Sequence, residues 1–218
     1  MKLYSYWRST AAYRVRIALN LKKAQYDIVP VHLVKNGGEQ LTTSFEELIN
    51  PQKLVPALEL DNGEVLTQSM AIIEYLNESY PKPGLLPQKA EDRAYVRSLS
   101  QLVCCDIHPI NNLRVLKYLT GEMELTQAQK STWYEHWVLD GLTAFEKRLH
   151  ASETNGNFCF GNQVGMADIC LISQLYNADR FNISIDAFPT VKKIKENCLA
   201  LAAFQKAMPE NQIDAESV

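Results

Sequence analysis

The chain has 218 residues, 46% of them hydrophobic, and a formal net charge of −3. That is enough apolar material for one large or two small globular domains, and the slight acidity argues against nucleic acid or an anionic membrane as the main partner. No run of about 18 apolar residues is available to cross a bilayer, and Arg8 interrupts the place where the apolar core of a secretory signal has to continue.

The five cysteines, Cys104, Cys105, Cys159, Cys170 and Cys198, are odd in number and show no CxxC spacing. Neither a disulfide framework nor a zinc site is expected, and no metal. A reducing cytoplasm is the expected compartment, with all five thiols as small buried apolar side chains.

Taken from the start, KLYSYW reads as a strand, and Ser9 or Thr10 can cap the helix after it. Ala11, Val15, Ala18 and Leu19 recur at helical spacing and form its buried stripe. YDIVPVHL, residues 26–33, is a second strand; Pro30 predicts an edge position, and the βαβ order predicts a parallel pair. Residues 35–44 are polar, hold Gly37-Gly38 and read as a loop. FEELIN supplies one or two helical turns before Pro51. LVPALEL (54–60) is a strand with a proline inside it. Asp61-Asn62-Gly63 is a hairpin turn signal, and EVLTQ returns from it. Ser69 is placed to cap MAIIEYLNESY, which stops at Pro81.

PKPGLLP (81–87) is linker-like, and the pattern changes after it. Residues 90–119 read as a long helical stretch broken at Pro109. Residues 126–150 give a second long helix, 167–181 a strongly apolar third, and Pro189 to Met208 a final helical region. The tail from Pro209 is polar and expected to be loose. The fold class is therefore α/β plus all-α: a β-α-β-α-β-β-α domain over residues 1–82, a linker at 83–87, and a helical domain over 88–218.

Three features point to chemistry. Pro56 cannot donate to a ladder; a cis Val55-Pro56 bond is one solution, and it turns the Val55 N–H and C=O outward, where a peptide can pair with them as an added strand. A trans edge proline is the commoner alternative. Gln68-Ser69 stands at a helix start. Serine there usually only caps, yet a helix N-terminus also binds anions, and the neighbouring amide suits an α-carboxylate. The third feature is the turn Arg8-Ser9-Thr10-Ala11-Ala12. In a thioredoxin-like fold a reactive cysteine is due near Thr10 or Ala11, and none is there. A hydroxyl at this helix N-terminus, beside Arg8 and Arg14, can instead stabilise a thiolate that arrives from outside.

The stretches SYWRST--YRVRIALNLK, NPQKLVPALEL, LTQSMAIIEYLNESYP, LLPQ, CDIHPINNLRVLKYL and NADRF together resemble the zeta class of glutathione transferases, from Met1 to about Met208. The resemblance implies a thioredoxin-like domain joined to a helical bundle, glutathione as cofactor and a homodimer. It implies an enzyme that isomerises the cis double bond of a maleyl keto-acid, maleylacetoacetate in aromatic amino-acid catabolism or alternatively maleylpyruvate.

Residue by residue, it makes Ser9 the hydroxyl that holds the glutathione sulfur, with Thr10 second. Ala11 stands where many members carry cysteine. Val55 pairs with the cysteinyl backbone, Gln68 and Ser69 hold the γ-glutamyl carboxylate, and Gln40, His108 and Asn112 line the rest of the cofactor site. Arg8, Arg114 and Arg180 match positions that take the substrate's carboxylates and enol oxygens. Gly165 departs from the Ser or Thr usual in GNQVGMAD; glycine still serves as an N-cap, and Asp168 can reach back to its N–H. Trp133 and Trp137 are expected to be core or interface packing. Two rivals share the cofactor site: a transferase conjugating small electrophiles, for which the arginine set has no use, and a binding protein without turnover.

Overall fold

The computed structural model describes residues 1–152, 154 and 156–216. Two compact units divide the chain: residues 1–84 together with those from Ala200 onward, and Leu85–Leu199.

The first unit begins with β1 (Lys2–Ser5), α1 (Thr10–Leu21), β2 (Asp27–Pro30), α2 (Thr43–Leu48), β3 (Ala57–Glu59), β4 (Val65–Thr67) and α3 (Ser69–Ser79). The sheet order is β2-β1-β3-β4. β1 and β2 are parallel, and the other two pairs are antiparallel. β2 lies at an edge, as its proline predicts, but is shorter than 26–33. β1 ends at Ser5 opposite Pro30; after Val31 N–H donates to Ser5 C=O at 2.8 Å, no strand remains to pair with. α1 is buried on nearly every side, from Ala12 to Leu19, and packs on α3; Val15 and Ala18 of the one helix and Ile72 and Leu76 of the other are fully buried.

The second unit is all helix: α4 (Ala90–Gln101), α5 (Leu113–Gly121), α6 (Gln127–His150), α7 (Met166–Arg180) and α8 (Pro189–Leu199). α7 buries 12 of its 15 residues, the polar Asp168, Ser173, Gln174 and Asn177 among them, and forms the centre of this unit. α6 starts with a capping box, Thr126 Oγ1 accepting from Gln129 N–H and Gln129 Oε1 from Thr126 N–H. Asp168 Oδ2 accepts from Gly165 N–H at 2.8 Å, as the sequence allows. The glycine has a packing cause: a Cβ at 165 lies 2.9 Å from the Leu85 carbonyl oxygen, which already accepts from Met166 N–H.

The stretch 90–119 is more broken than one proline predicts. A π-helical segment, Leu102–Ile107, and a 3-10 turn, Pro109–Asn111, separate α4 from α5. Asn112 then restarts the helix, its Oδ1 accepting from Arg114 N–H at 3.2 Å. The π-segment leaves Cys104 half-buried and Cys105 exposed, against the expectation of five buried thiols; Cys159, Cys170 and Cys198 are buried.

The final helical region splits at residues 200–201, and its second piece, α9 (Ala202–Ala207), belongs with the first unit. The cause lies in α1. Arg16 is fully buried and donates from Nε to Ala207 C=O at 3.0 Å, and Asn20 donates to Ala203 C=O at 3.0 Å. The tail is not loose through Glu216. A 3-10 turn at Pro209–Asn211 buries Pro209, Gln212 donates to the carbonyls of Lys206 and Met208, and Asp214 accepts from Trp7 N–H.

Candidate functional site

The register explains why distant stretches converge. Tyr4 near the end of β1 pairs with Ala57 at the start of β3, and Ala57 pairs with Thr67 at the end of β4. β2 runs parallel to β1 and ends opposite Ser5. One end of the four strands therefore carries four segments: Arg8-Ser9-Thr10-Ala11 after β1, the Gln40 loop after β2, Val55 before β3, and Gln68-Ser69 after β4. Two helix N-termini, those of α1 and α3, open there, and both favour negative charge.

Ser9 is the N-cap of α1. Its Oγ accepts from Ala12 N–H at 3.2 Å. A hydroxyl that accepts in a cap keeps its own proton to donate, and Ser9 is half-buried while Thr10 is only 4% exposed. Ala11 sits half-buried in the first turn. Arg8 lays its guanidinium over the Trp7 ring, 4.1 Å from the centroid, a cation–π placement that fixes the side chain without using its hydrogen-bond donors.

Val55-Pro56 is cis. Val55 is buried in a cluster with Tyr6, Trp7, Val31 and Phe45, and neither its N–H nor its C=O has a backbone partner among the described residues. Gln40 is 7% exposed, and its Oε1 has no hydrogen-bond partner among the described residues. Gly38 makes room for that amide: its φ is +109°, and a Cβ there lies 2.8 Å from Gln40 Nε2.

Ser69 corrects the sequence reading. It is the first residue of α3, not its cap; Gln68 holds the cap position at φ 68°, ψ 113°, with no side-chain cap bond. Such backbone is costly outside glycine and is typical of functional sites. The Gln68 amide donates to Gln52 Oε1 at 2.7 Å. The buried Ser69 hydroxyl accepts from Arg14 Nη1 at 3.2 Å. Sequence placed Arg14 beside Ser9 and Thr10; in the fold it reaches α3. Arg16 was missed. It donates from Nη2 to Trp7 C=O at 2.9 Å and from Nη1 to Ser5 Oγ at 3.1 Å. The readable signal was two arginines inside a helix too apolar to expose them, since a buried charge must find partners.

His108, Asn112, Arg114 and Arg180 lie on the helical unit. His108 follows the π-segment, its N–H donating to Val103 C=O at 2.9 Å. Asn112 caps α5, which places the exposed Arg114 in its first turn. Arg180 closes α7, exposed, 5.3 Å from the Phe181 ring centroid. Tyr134 of α6, which sequence reasoning did not single out, joins these segments. Asn111 donates to its carbonyl, its ring stacks on Phe181 at 3.8 Å, and burial pushes its hydroxyl pKa up against the opposing charge of Arg180. Trp133 and Trp137 are half-buried and meet edge to face at 5.8 Å, and Trp133 donates to Ile110 C=O.

Chemically, the first unit offers a hydroxyl donor at one helix N-terminus, an anion subsite at another, and an open backbone pair between them. Orphaned Gln40 Oε1 and the Val55 main chain suit a peptide-like ligand with a thiol and a carboxylate.

Residues 1–78 match the family described as glutathione S-transferase, N-terminal domain, and residues 110–206 match glutathione S-transferase, C-terminal domain. The chain is 47% identical over 213 residues to a probable maleylacetoacetate isomerase of Vibrio cholerae, covering 98% of this chain and 97% of that one. It is similar to a solved maleyl pyruvate isomerase, described as a bacterial glutathione S-transferase in zeta class, with TM-score 0.95 and 42% identity over 99% of this chain and 100% of that one. It is also similar to the maleylacetoacetate isomerase of Methylobacterium extorquens AM1 with bound malonate and GSH, with TM-score 0.95 and 41% identity over the whole of both chains.

Proposed function

Because the chain belongs to the glutathione S-transferase family, in its zeta class, we propose that it is a glutathione-dependent isomerase converting maleylacetoacetate to fumarylacetoacetate. The observation that carries this reading is the convergence of the Ser9 hydroxyl, the open Val55 backbone and the Arg14-backed N-terminus of α3 at one end of the sheet's strands. Maleylpyruvate is the second substrate reading, supported by the likeness to a maleyl pyruvate isomerase.

When bound, glutathione supplies a thiolate that adds reversibly to the substrate's cis double bond, making rotation possible, and it is regenerated. The chain's own residues hold and tune it. Ser9 donates its O–H to the sulfur, with Thr10 as the alternative, and the N-terminus of α1 favours the ionised form. Ala11 lines the turn and brings no thiol of its own. The Val55 N–H and C=O pair with the cysteinyl backbone. Gln68, Ser69 and the N-terminus of α3 take the γ-glutamyl carboxylate, with the Arg14 charge behind them. Gln40, His108 and Asn112 are assigned to the remainder of the cofactor. Arg8, Arg114 and Arg180 are assigned to the substrate's carboxylates and to the enolate-like charge that develops during addition.

A cytoplasmic setting belongs to the same reading, since five cysteines without CxxC spacing suit a reducing compartment; among the described residues no helix is long and apolar enough to cross a membrane. The membership supports a homodimer, which the sedimentation rate in solution tests directly.

The decisive experiment follows loss of the ultraviolet absorbance of the cis enol with and without glutathione, on both substrates. Fast loss that requires glutathione and leaves its concentration unchanged is expected. No loss on either substrate, with steady conjugation of a halide test compound, overturns the isomerase reading in favour of a detoxifying transferase.

A further inference from the structure

We infer that the carboxy-terminal strap, Asp214 to Glu216, is part of the active-site machinery and that Asp214 is a positioning residue for the Arg8-Ser9-Thr10 turn. The inference rests on the reading that this turn holds glutathione. Both main-chain groups of Trp7, the residue before the turn, are claimed. Its carbonyl accepts from Arg16 Nη2 at 2.9 Å, and its N–H donates to Asp214 Oδ2 at 3.0 Å. Trp7 is 1% exposed, so an unmet N–H there has no water to turn to. Arg8 is fixed on the face of the same ring.

The strap reaches two more site segments. Ala215 packs on the cluster of Tyr6, Trp7, Val31, Phe45 and Val55. Glu216 meets His32 at 3.1 Å and also meets Lys35, and His32 N–H donates to Glu39, the neighbour of Gln40. One short piece of chain thus ties the Ser9 turn, the Gln40 loop and the Val55 segment together. A network that fixes a functional side chain through its main chain acts on binding and on the bound thiol, not on folding alone.

The test compares the full chain with Asp214→Ala, Asp214→Asn and Glu216→Ala. Three quantities are read: the KM for glutathione against kcat, the pH midpoint of thiolate absorbance of bound glutathione, and the thermal midpoint. Asp214→Ala is expected to raise the glutathione KM about five- to tenfold and to move the thiolate midpoint upward. Asp214→Asn, which keeps an acceptor for Trp7 N–H, is expected to restore most of both. Glu216→Ala is expected to raise the KM by a smaller factor. A lower thermal midpoint with KM and thiolate midpoint unchanged means a purely structural tie and overturns the inference. If Asp214→Ala does not fold, Glu216→Ala decides: an unchanged KM overturns it. If the unaltered chain fails to bind glutathione, the underlying reading falls as well, which separates the two failures.

Discussion

Arg14 and Arg16 stand two residues apart on α1, both buried, and serve different ends. Arg14 places a cation behind Ser69. In the proposed site Arg14→Met loses that charge, and the affinity for glutathione is expected to fall about tenfold by titration calorimetry, at nearly constant kcat; each charge-assisted contact is worth roughly 1.5–3 kcal/mol. Arg16 binds four acceptors in the same unit, among them the carbonyls of Trp7 and Ala207. Arg16→Met orphans them, so a loss of several kcal/mol of stability is expected, visible in urea unfolding. In the proposed site Ser9→Ala removes the hydroxyl that donates to the glutathione thiolate. A hydrogen bond to the charged form lowers the thiol pKa and is worth about 1.5–3 kcal/mol, so the pH midpoint of the bound thiolate is expected to rise and the rate at pH 7 to fall about ten- to a hundredfold. Thr10→Ala is expected to lose far less because Thr10 is only 4% exposed. Equal losses would divide the sulfur between the two.

Among the elements, the start of α8 is held by one carboxylate. Glu146 on α6 accepts from Thr190 N–H at 2.8 Å and Val191 N–H at 2.9 Å. Burial pushes its pKa up, but these two donors, with His150 nearby, outweigh burial and hold it below the ordinary value. A carboxyl depressed in the folded state contributes stability that is present above the unfolded glutamate pKa of about 4.3 and lost as pH falls through the folded value. Glu146→Gln turns one acceptor into a donor facing a donor. It is expected to cost about 1.5–3 kcal/mol at pH 7, with the gap to the unaltered chain closing in chemical unfolding below pH 4. Gly165→Ser is expected to destabilise by about 1–3 kcal/mol, against the small gain that capping alone predicts, because the new Cβ meets the Leu85 carbonyl.

These elements also show what the sequence made legible. Strand alternation, the Asp-Asn-Gly turn and the edge proline are local signals, and the β-α-β-α-β-β-α order followed from them. Ser9 was found because a cap is written in adjacent residues. Ser69 was displaced by one position because the backbone at Gln68 takes a positive φ that no residue type announces. Cys105 was misjudged because a π-segment rotates its face away from the 3.6-residue period. The Trp7–Asp214 and Arg16–Ala207 bonds were out of reach: they span 207 and 191 positions of chain, and no window of sequence contains both partners, whereas the burial of Arg16 itself was readable from the apolar helix around it.

For the whole molecule, the first unit is discontinuous, closed by residues from the far end of the chain. A fragment of residues 1–84 leaves Arg16 without Ala207, Asn20 without Ala203 and Trp7 without Asp214. It is expected to show little protection in hydrogen exchange, and a peptide of residues 200–216 added in trans is expected to restore it. A fragment that is protected by itself would make the closing segment dispensable. Synthesis on the ribosome runs from the amino terminus and usually lets the leading domain settle first. Here the leading unit is not complete when it emerges: the residues that close it, from Ala200 onward, are made after the whole helical unit. The turn proposed to hold glutathione therefore has a tie, Trp7 N–H to Asp214, whose second partner is made only after the whole helical unit.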